Sequence, residues 1–387
     1  MTNDLDSLNA LLDESIEHAT RRAEASFDLI AGPLADKLVL FGAGNFGRKT
    51  LDGLRQVGVE PLAFVDNDPL LWGTSVDGLP VLPPNQAITR FKNEAAWVIT
   101  IWNNGGGHQQ AEVCSQLWQA GAYPVTQAIH LFWKHPAAFL PHYGLVLPQD
   151  VLQQSDLVRQ AFSLFDDEES RRVFVARVRN ALWPEFYGME ARERHFPYFP
   201  PDLIALSPDE RFVDCGAFDG DTLREFVEHR GSSFQQYIGF EPDERNHARL
   251  VEYANTLPAD IRRKLSLCQM AVGGRAETVG FVSTGNWSRV AAEGDNEVIC
   301  DTIDSLLGRI EPTFIKMNIE GGEAAALLGA RRVIESCTPT LSIVLDHRPN
   351  DLWKIPILVS ELSDWYKFTL RLYSAAGWFL MLYAVKR

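Results

Sequence analysis

The sequence predicts an α/β protein in which two strand–glycine turn–helix–strand units are joined by a helical connector. The first observation behind this is a motif written twice. Leu38-Val39-Leu40-Phe41 runs into Gly42-Ala43-Gly44-Asn45-Phe46-Gly47, and Asp66 closes the next apolar run. Phe212-Val213-Asp214-Cys215 runs into Gly216-Ala217-Phe218-Asp219-Gly220, and Glu241 closes the run after it. The second observation is length, since 387 residues exceed what one hydrophobic core usually serves. A glycine turn between strand and helix, with an acid ending the next strand, is how an open parallel sheet holds a ribose and its tail. Both units therefore read as Rossmann-like.

Taken in order, residues 1–36 form an N-terminal helical segment, because Leu8, Leu11, Leu12, Ile16, Phe27 and Ile30 recur at helical spacing among charges. Residues 37–140 make the first Rossmann-like domain. Its strands are expected at 37–41, 62–65 and 96–101, with helices opening near Asn45 and over 112–121. The stretch Asn103-Asn104-Gly105-Gly106-Gly107 reads as a turn. Residues 141–208 are a helical connector, grouped with the second domain and ended by Pro197, Pro200 and Pro201. In the second domain, 209–387, strands at 211–215, 236–240, 265–270, 313–317 and 340–345 alternate with helices at 221–229, 243–255 and 322–335. A hairpin of 278–283 with 296–300 interrupts the alternation. The closing strands, 366–373 and 377–386, are linked too tightly for a crossover, so they must be antiparallel.

Charge excludes one class of partner. The chain has 51 Asp and Glu against 36 Lys and Arg, a net charge of −15, and this field repels nucleic acid and anionic membrane surfaces. The longest uncharged apolar stretch, ending at Val385, falls short of the ~18 residues that membrane insertion needs. Cys114, Cys215, Cys268, Cys300 and Cys337 lie far apart with no CxxC pair, which predicts reduced thiols. With an acidic N-terminus unlike a signal peptide, they predict a cytoplasmic protein. No His-x-x-His or Cys pair occurs, so no metal site is predicted. A homo-oligomer is compatible with all of this.

The two glycine turns differ chemically. Phe218 stands where a dinucleotide loop needs its middle glycine, which hinders a pyrophosphate. Asp214 also disfavours phosphate, but it suits the ammonium of an amino-acid tail, and Glu241 suits ribose hydroxyls. The expected cofactor-binding set in this unit is Asp214, Gly216, Ala217, Asp219, Gly220, Thr222, Glu241 and Pro242. In the first unit, Gly42, Gly44 and Gly47, with Asp66 nineteen residues beyond Gly47, fit a nicotinamide-dinucleotide fingerprint. Only Asn103, Asn104 and His108 stand near it as polar company, and none makes a convincing catalytic set. Asp66-Asn67-Asp68-Pro69, with Trp72-Gly73 and Gly78-Leu79-Pro80-Val81, resembles nucleotide-sugar-associated modules, so a nucleotide or nucleotide-sugar is the expected ligand there.

The downstream motifs weigh most. Phe212 to Thr222, then Asp301-Thr302-Ile303-Asp304-Ser305-Leu306, then Thr313-Phe314-Ile315-Lys316-Met317-Asn318-Ile319-Glu320-Gly321-Gly322-Glu323, resemble the ordered motifs of FkbM-type methyltransferases over roughly residues 195–387. The resemblance implies a class I methyltransferase sheet ending in an antiparallel hairpin, with S-adenosyl-L-methionine as cofactor. It also implies O-methylation of a sugar, glycan or natural-product hydroxyl, so a small-molecule or glycan acceptor is the expected partner. One departure stands out: the family pattern carries aspartate where this chain has Asn318, and an amide orients a hydroxyl but cannot take its proton. His347, beyond the strand at 340–345, is the expected base because imidazole titrates near neutrality. Glu320 and Glu323 are alternatives, although acids in a helix's first turn also meet its dipole. Catalytic roles are thus expected of His347, Asn318 and Glu320, with Trp287 either lidding the site or packing on the sheet. A nicotinamide-dependent oxidoreductase using the first unit, and a protein that only binds, are the alternatives.

Overall fold

The structure is a computed structural model and describes residues 4–102, 109–185, 189–193, 195–282, 289–290, 296–375 and 377–387. The chain forms two compact units, the first from residues 1–159, 172–193 and 372–378, the second from 160–171, 194–371 and 379–387. The segment 141–208, expected as one connector grouped with the second domain, is divided between them.

The first unit is built on a six-stranded sheet. Its strands are β1 (Leu38–Phe41), β2 (Ala63–Val65), β3 (Ser75–Val76), β4 (Leu79–Leu82), β5 (Ala96–Ile99) and β6 (Val125–Gln127), in the order β3-β4-β2-β1-β5-β6. Successive residues of β1 alternate between two apolar layers. Leu38 and Leu40 join Phe64, Val81 and Phe132, while Val39 and Phe41 join Trp97, Ile99 and Leu117. Burial on both faces explains why these strands read as continuous apolar runs. Residues 73–84, which the sequence marks only as turn-rich, contain the short antiparallel β3–β4 pair, and β4 extends the sheet parallel to β2.

The second unit's strands are β7 (Arg211–Cys215), β8 (Gln236–Phe240), β9 (Leu265–Cys268), β10 (Ala271–Val272), β11 (Glu277–Val282), β12 (Arg289–Val290), β13 (Asn296–Asp301), β14 (Phe314–Met317), β15 (Thr340–Val344), β16 (Tyr366–Leu372) and β17 (Leu380–Lys386). Seven of them make the main sheet, ordered β16-β17-β15-β14-β7-β8-β9. β17 runs antiparallel to β15, while β7, β8, β9, β14 and β15 are parallel. The expected hairpin pairs antiparallel, Thr278 opposite Ile299, and belongs to a separate four-stranded sheet, β10-β13-β11-β12.

Two elements depart from the sequence reading. The helix expected over 322–335 is two, Glu323–Leu328 and Arg331–Cys337. Asp304 causes the break, because its carboxylate accepts from the backbone N–H groups of Arg332 and Val333, both at 2.9 Å, and so caps the second piece. The helix Asp351–Leu362 was not apparent at all. Pro356 sits inside it, and Leu352, Trp353, Ile355, Ile357, Val359 and Leu362 are all buried, so only a narrow exposed stripe with Lys354 and Glu361 marks its period.

Both sheets reverse their strand order beside the first strand of the unit, between β1 and β5 and between β7 and β14, where open α/β sheets hold ligands. The glycines there are fixed by contact. A Cβ on Gly216 (φ +85°) would lie 2.0 Å from the Asn318 carbonyl oxygen, and one on Gly47 would lie 2.0 Å from that of Gly42. Gly47→Ala and Gly216→Ala should therefore each lower the unfolding free energy read from urea denaturation by about 1–3 kcal/mol or more. Gly44, with an N-cap φ of −76° and nothing within 4 Å of its Cβ position, should accept alanine without a clash, at no more than the roughly 1 kcal/mol that alanine costs at an N-cap.

Candidate active site

Lys316 lies in the middle of β14, entirely inside the protein. Its ammonium is 2.8 Å from Asp214 Oδ1 on the neighbouring β7 and donates to the Gly216 carbonyl at 2.7 Å. Asp214 Oδ2 accepts from the Tyr237 hydroxyl. Burial pushes the Lys316 pKa down, but the adjacent carboxylate of Asp214 more than reverses this and holds the amine charged. The expectation that Asp214 meets a ligand ammonium is corrected by this geometry. The carboxylate is wholly buried and committed to Lys316 and Tyr237, because β14 places a cation directly across the sheet.

Above this pair the turn Gly216–Gly220 opens the helix Asp221–Arg230. Gly216, Phe218 and Asp219 are partly exposed, as is Pro242 at the end of the next strand. Asp219 also pairs with Arg224 at 3.1 Å. Ala217, Gly220 and Thr222 are buried, so in this set they shape the turn from behind. Glu241 spans the gap between strands: its two carboxylate oxygens accept from the N–H groups of Phe218 and Asp243, each at 2.9 Å. Burial raises its pKa, and the two N–H donors oppose this only in part, leaving it at about 7. Each oxygen keeps a lone pair for a further donor.

The far wall comes from the ends of β14 and β15. Asn318 follows β14, and its amide nitrogen donates to the Tyr198 hydroxyl at 3.0 Å. Glu320 adopts a left-handed backbone (φ +54°), steadied by Arg348 Nε donating to the Gly321 carbonyl at 2.6 Å. A non-glycine residue held so costs roughly 1–3 kcal/mol and marks a constrained site. His347 lies between two carboxylates, with Nδ1 2.8 Å from Glu323 and Nε2 3.7 Å from Glu320. The expectation that it titrates near neutrality is corrected. Burial lowers its pKa, but the charges of Glu323, Glu320 and Asp346 outweigh burial and lift it to about 10. At neutral pH it is an imidazolium, which donates and cannot accept a proton. Asp346 turns away from the ligand side, its carboxylate accepting from the N–H groups of Phe379 and Leu380.

The first unit repeats the acid device. Asp66 accepts from Ala43 N–H at 2.8 Å and Asp68 N–H at 2.9 Å, and Trp72 Nε1 donates to its carbonyl. Asn103, Asn104, His108 and Trp287 lie outside the described residues. Among the described residues, no three His, Cys, Asp or Glu side chains come together to hold a metal ion. No helix among them is long and apolar enough to cross a membrane.

Residues 214–372 match the family model described as the methyltransferase FkbM domain. Over this stretch the chain is similar to the FkbM methyltransferase family. The full chain resembles the crystal structure of methyltransferase FkbM from Methylobacillus flagellatus KT. The two share 21% identity and a TM-score of 0.75, over 99% of this chain and 98% of that one, which establishes a shared fold. Weaker likenesses reach fibrillarin from Aeropyrum pernix with natively bound S-adenosyl-L-methionine (14% identity, TM-score 0.31, 47% of this chain and 70% of that one). They also reach UDP-D-quinovosamine 4-dehydrogenase from Vibrio fischeri (21% identity, TM-score 0.21, 24% of this chain and 75% of that one). A search of curated proteins found no match.

Sequence reasoning missed Lys316, Tyr237 and Tyr198 as parts of the FkbM site. The signal for Lys316 was legible, since a lysine inside the apolar run Phe314–Met317 must have a buried counter-ion. For Lys316→Met we expect a loss of about 3–5 kcal/mol, because Asp214 is left buried and unpaired, with Lys316→Met/Asp214→Leu recovering most of it in denaturant unfolding. A second expectation concerns His347. Its raised pKa adds stability that is complete below about 6.5 and lost as pH rises through about 10. In Glu323→Gln the imidazole should titrate well below 10 by NMR; an unmoved titration would mean the pair does not hold the proton.

Proposed function

We propose that the chain is an S-adenosylmethionine-dependent methyltransferase acting on a hydroxyl of a sugar, glycan or natural product. The observation that carries this reading is the convergence of the Gly216 turn, Glu241 and Asn318 on the switch point of an FkbM-domain sheet. The residues fit the cofactor. Gly216 keeps the turn free of a side chain, Glu241 offers lone pairs to ribose hydroxyls, and Gly216, Phe218, Asp219 and Pro242 are each partly exposed. When bound, S-adenosylmethionine supplies a methyl group already activated by its sulfonium.

The protein's remaining task is to align an acceptor oxygen and to receive its proton. Asn318 orients the hydroxyl. Glu320, a carboxylate beside the imidazolium of His347, receives the proton, and His347 donates hydrogen bonds rather than taking it. In the first unit, the Gly42–Gly47 turn and Asp66 serve a nucleotide or nucleotide-sugar. Gly44→Ala should abolish such binding without unfolding the protein, read as saturable fluorescence quenching by NADH or UDP-glucose.

Calorimetry with S-adenosylhomocysteine tests the main reading. Because the ionised Glu241 carboxylate accepts the ribose hydroxyls, affinity should rise with pH through about 7 and level off above it. Glu241→Gln should weaken binding by roughly 10–100-fold and remove the pH dependence, as a hydrogen bond to a charged group is worth about 1.5–3 kcal/mol. Folded wild-type protein that binds no S-adenosylhomocysteine would sink the proposal.

A further inference from the structure

We propose that Tyr198 is a positioning residue of this site: its phenol oxygen fixes the Asn318 carboxamide so that the amide oxygen faces the acceptor hydroxyl. The inference rests on the methyl-transfer reading above. Tyr198 lies before the stretch that matches the FkbM family, so the family match does not account for it.

The terminal torsion of asparagine is broad and roughly two-fold, so an unassisted side chain would present its oxygen or its nitrogen almost equally. In this protein one N–H of the amide donates to the Tyr198 hydroxyl at 3.0 Å, which anchors the nitrogen there and leaves Oδ1, an acceptor only, on the opposite side. Asn318 is partly exposed while Tyr198 is buried behind it, so the anchor is inside and the oriented group is at the opening. Such an oxygen accepts a hydrogen bond from a hydroxyl and repels a carboxylate or phosphate. The backbone of Asn318 is fixed as well: its N–H donates to the Cys215 carbonyl at 3.1 Å, and its own carbonyl presses on Gly216.

The Tyr198 ring has contacts of its own beside the hydroxyl bond to Asn318. The Lys316 ammonium lies 4.8 Å from the ring centroid, a cation–π contact, and Phe379 meets the ring edge-on at 5.7 Å. Lys316 also holds Gly216, so one buried cation sets both the cofactor turn and the tyrosine that orients Asn318. An aspartate at 318 would instead accept from the phenol, and the bond would reverse.

Tyr198→Phe removes only the oxygen and keeps the ring, which makes it the decisive variant. In protein labelled with 15N-asparagine, the Asn318 side-chain amide, identified by its loss in Asn318→Ala, should shift and exchange faster in Tyr198→Phe. S-adenosylhomocysteine affinity should stay within twofold. With S-adenosylmethionine and a panel of methyl glycosides, followed by S-adenosylhomocysteine release, kcat should fall roughly tenfold or more while KM for the cofactor stays within twofold. An unmoved Asn318 amide, or turnover at the wild-type rate, would overturn the proposal. Failure of the wild type to bind S-adenosylhomocysteine would instead overturn the methyl-transfer reading on which it rests.

Discussion

The ammonium of Lys316 is the constraint on which the second unit depends. A charge this deep costs several kcal/mol of lost hydration, and here the Asp214 carboxylate, the Gly216 carbonyl and the Tyr198 ring together offset it. Each of these partners belongs to a different part of the site. Asp214 lies near the end of the central strand, Gly216 begins the turn into the next helix, and Tyr198 carries the hydroxyl that meets Asn318. One hydrophobic side chain at 316 could fill the same volume, but it would leave the turn carbonyl and the tyrosine ring without a common partner. The pair is therefore better understood as a device of register than as a source of stability.

The two units solve one geometric problem in the same way. In each, the first glycine is pinned by the strand beyond the switch point: Gly42 by the Thr100 carbonyl and Gly216 by that of Asn318. In each, the acid after the second strand ties the turn to its own loop through two backbone N–H groups, Asp66 to Ala43 and Asp68, Glu241 to Phe218 and Asp243. These acids are thus structural before any ligand arrives. Their difference lies in burial. Glu241 is enclosed and its pKa is raised, so it gains from a ligand that donates hydrogen bonds to its charged form.

Much of the fold was legible because local pattern and global fold agree. The alternation of apolar strands and amphipathic helices marked both sheets, and the short link between the last two strands announced the antiparallel end. What was hidden had a physical reason in each case. The helix Asp351–Leu362 is buried on most sides and carries Pro356, so it shows only a narrow exposed stripe and no caps. The break near Gly329 is marked locally only by that glycine at the helix end, while the cap on the second piece comes from Asp304, distant in sequence. Within the site, residue types were readable but their charge states were not. Asp214 looked like a ligand group until Lys316 was seen beside it. His347 looked like a neutral base until two glutamates were found around it.

The asparagine at 318 makes sense against that charge arrangement. Glu320 and Glu323 already flank a single imidazolium, and Asp351, buried close by, has its pKa raised to about 7 by burial first and by the Glu323 charge second. A further carboxylate at 318 would add to an acidic wall that burial already strains. An amide there keeps the hydrogen-bonding function and leaves out the charge. Two residues further on, Glu320 keeps its carboxylate and holds a left-handed backbone, a strained position of the loop. The hydrogen-bonding amide and the charge, which one aspartate would combine, are thus divided between Asn318 and Glu320.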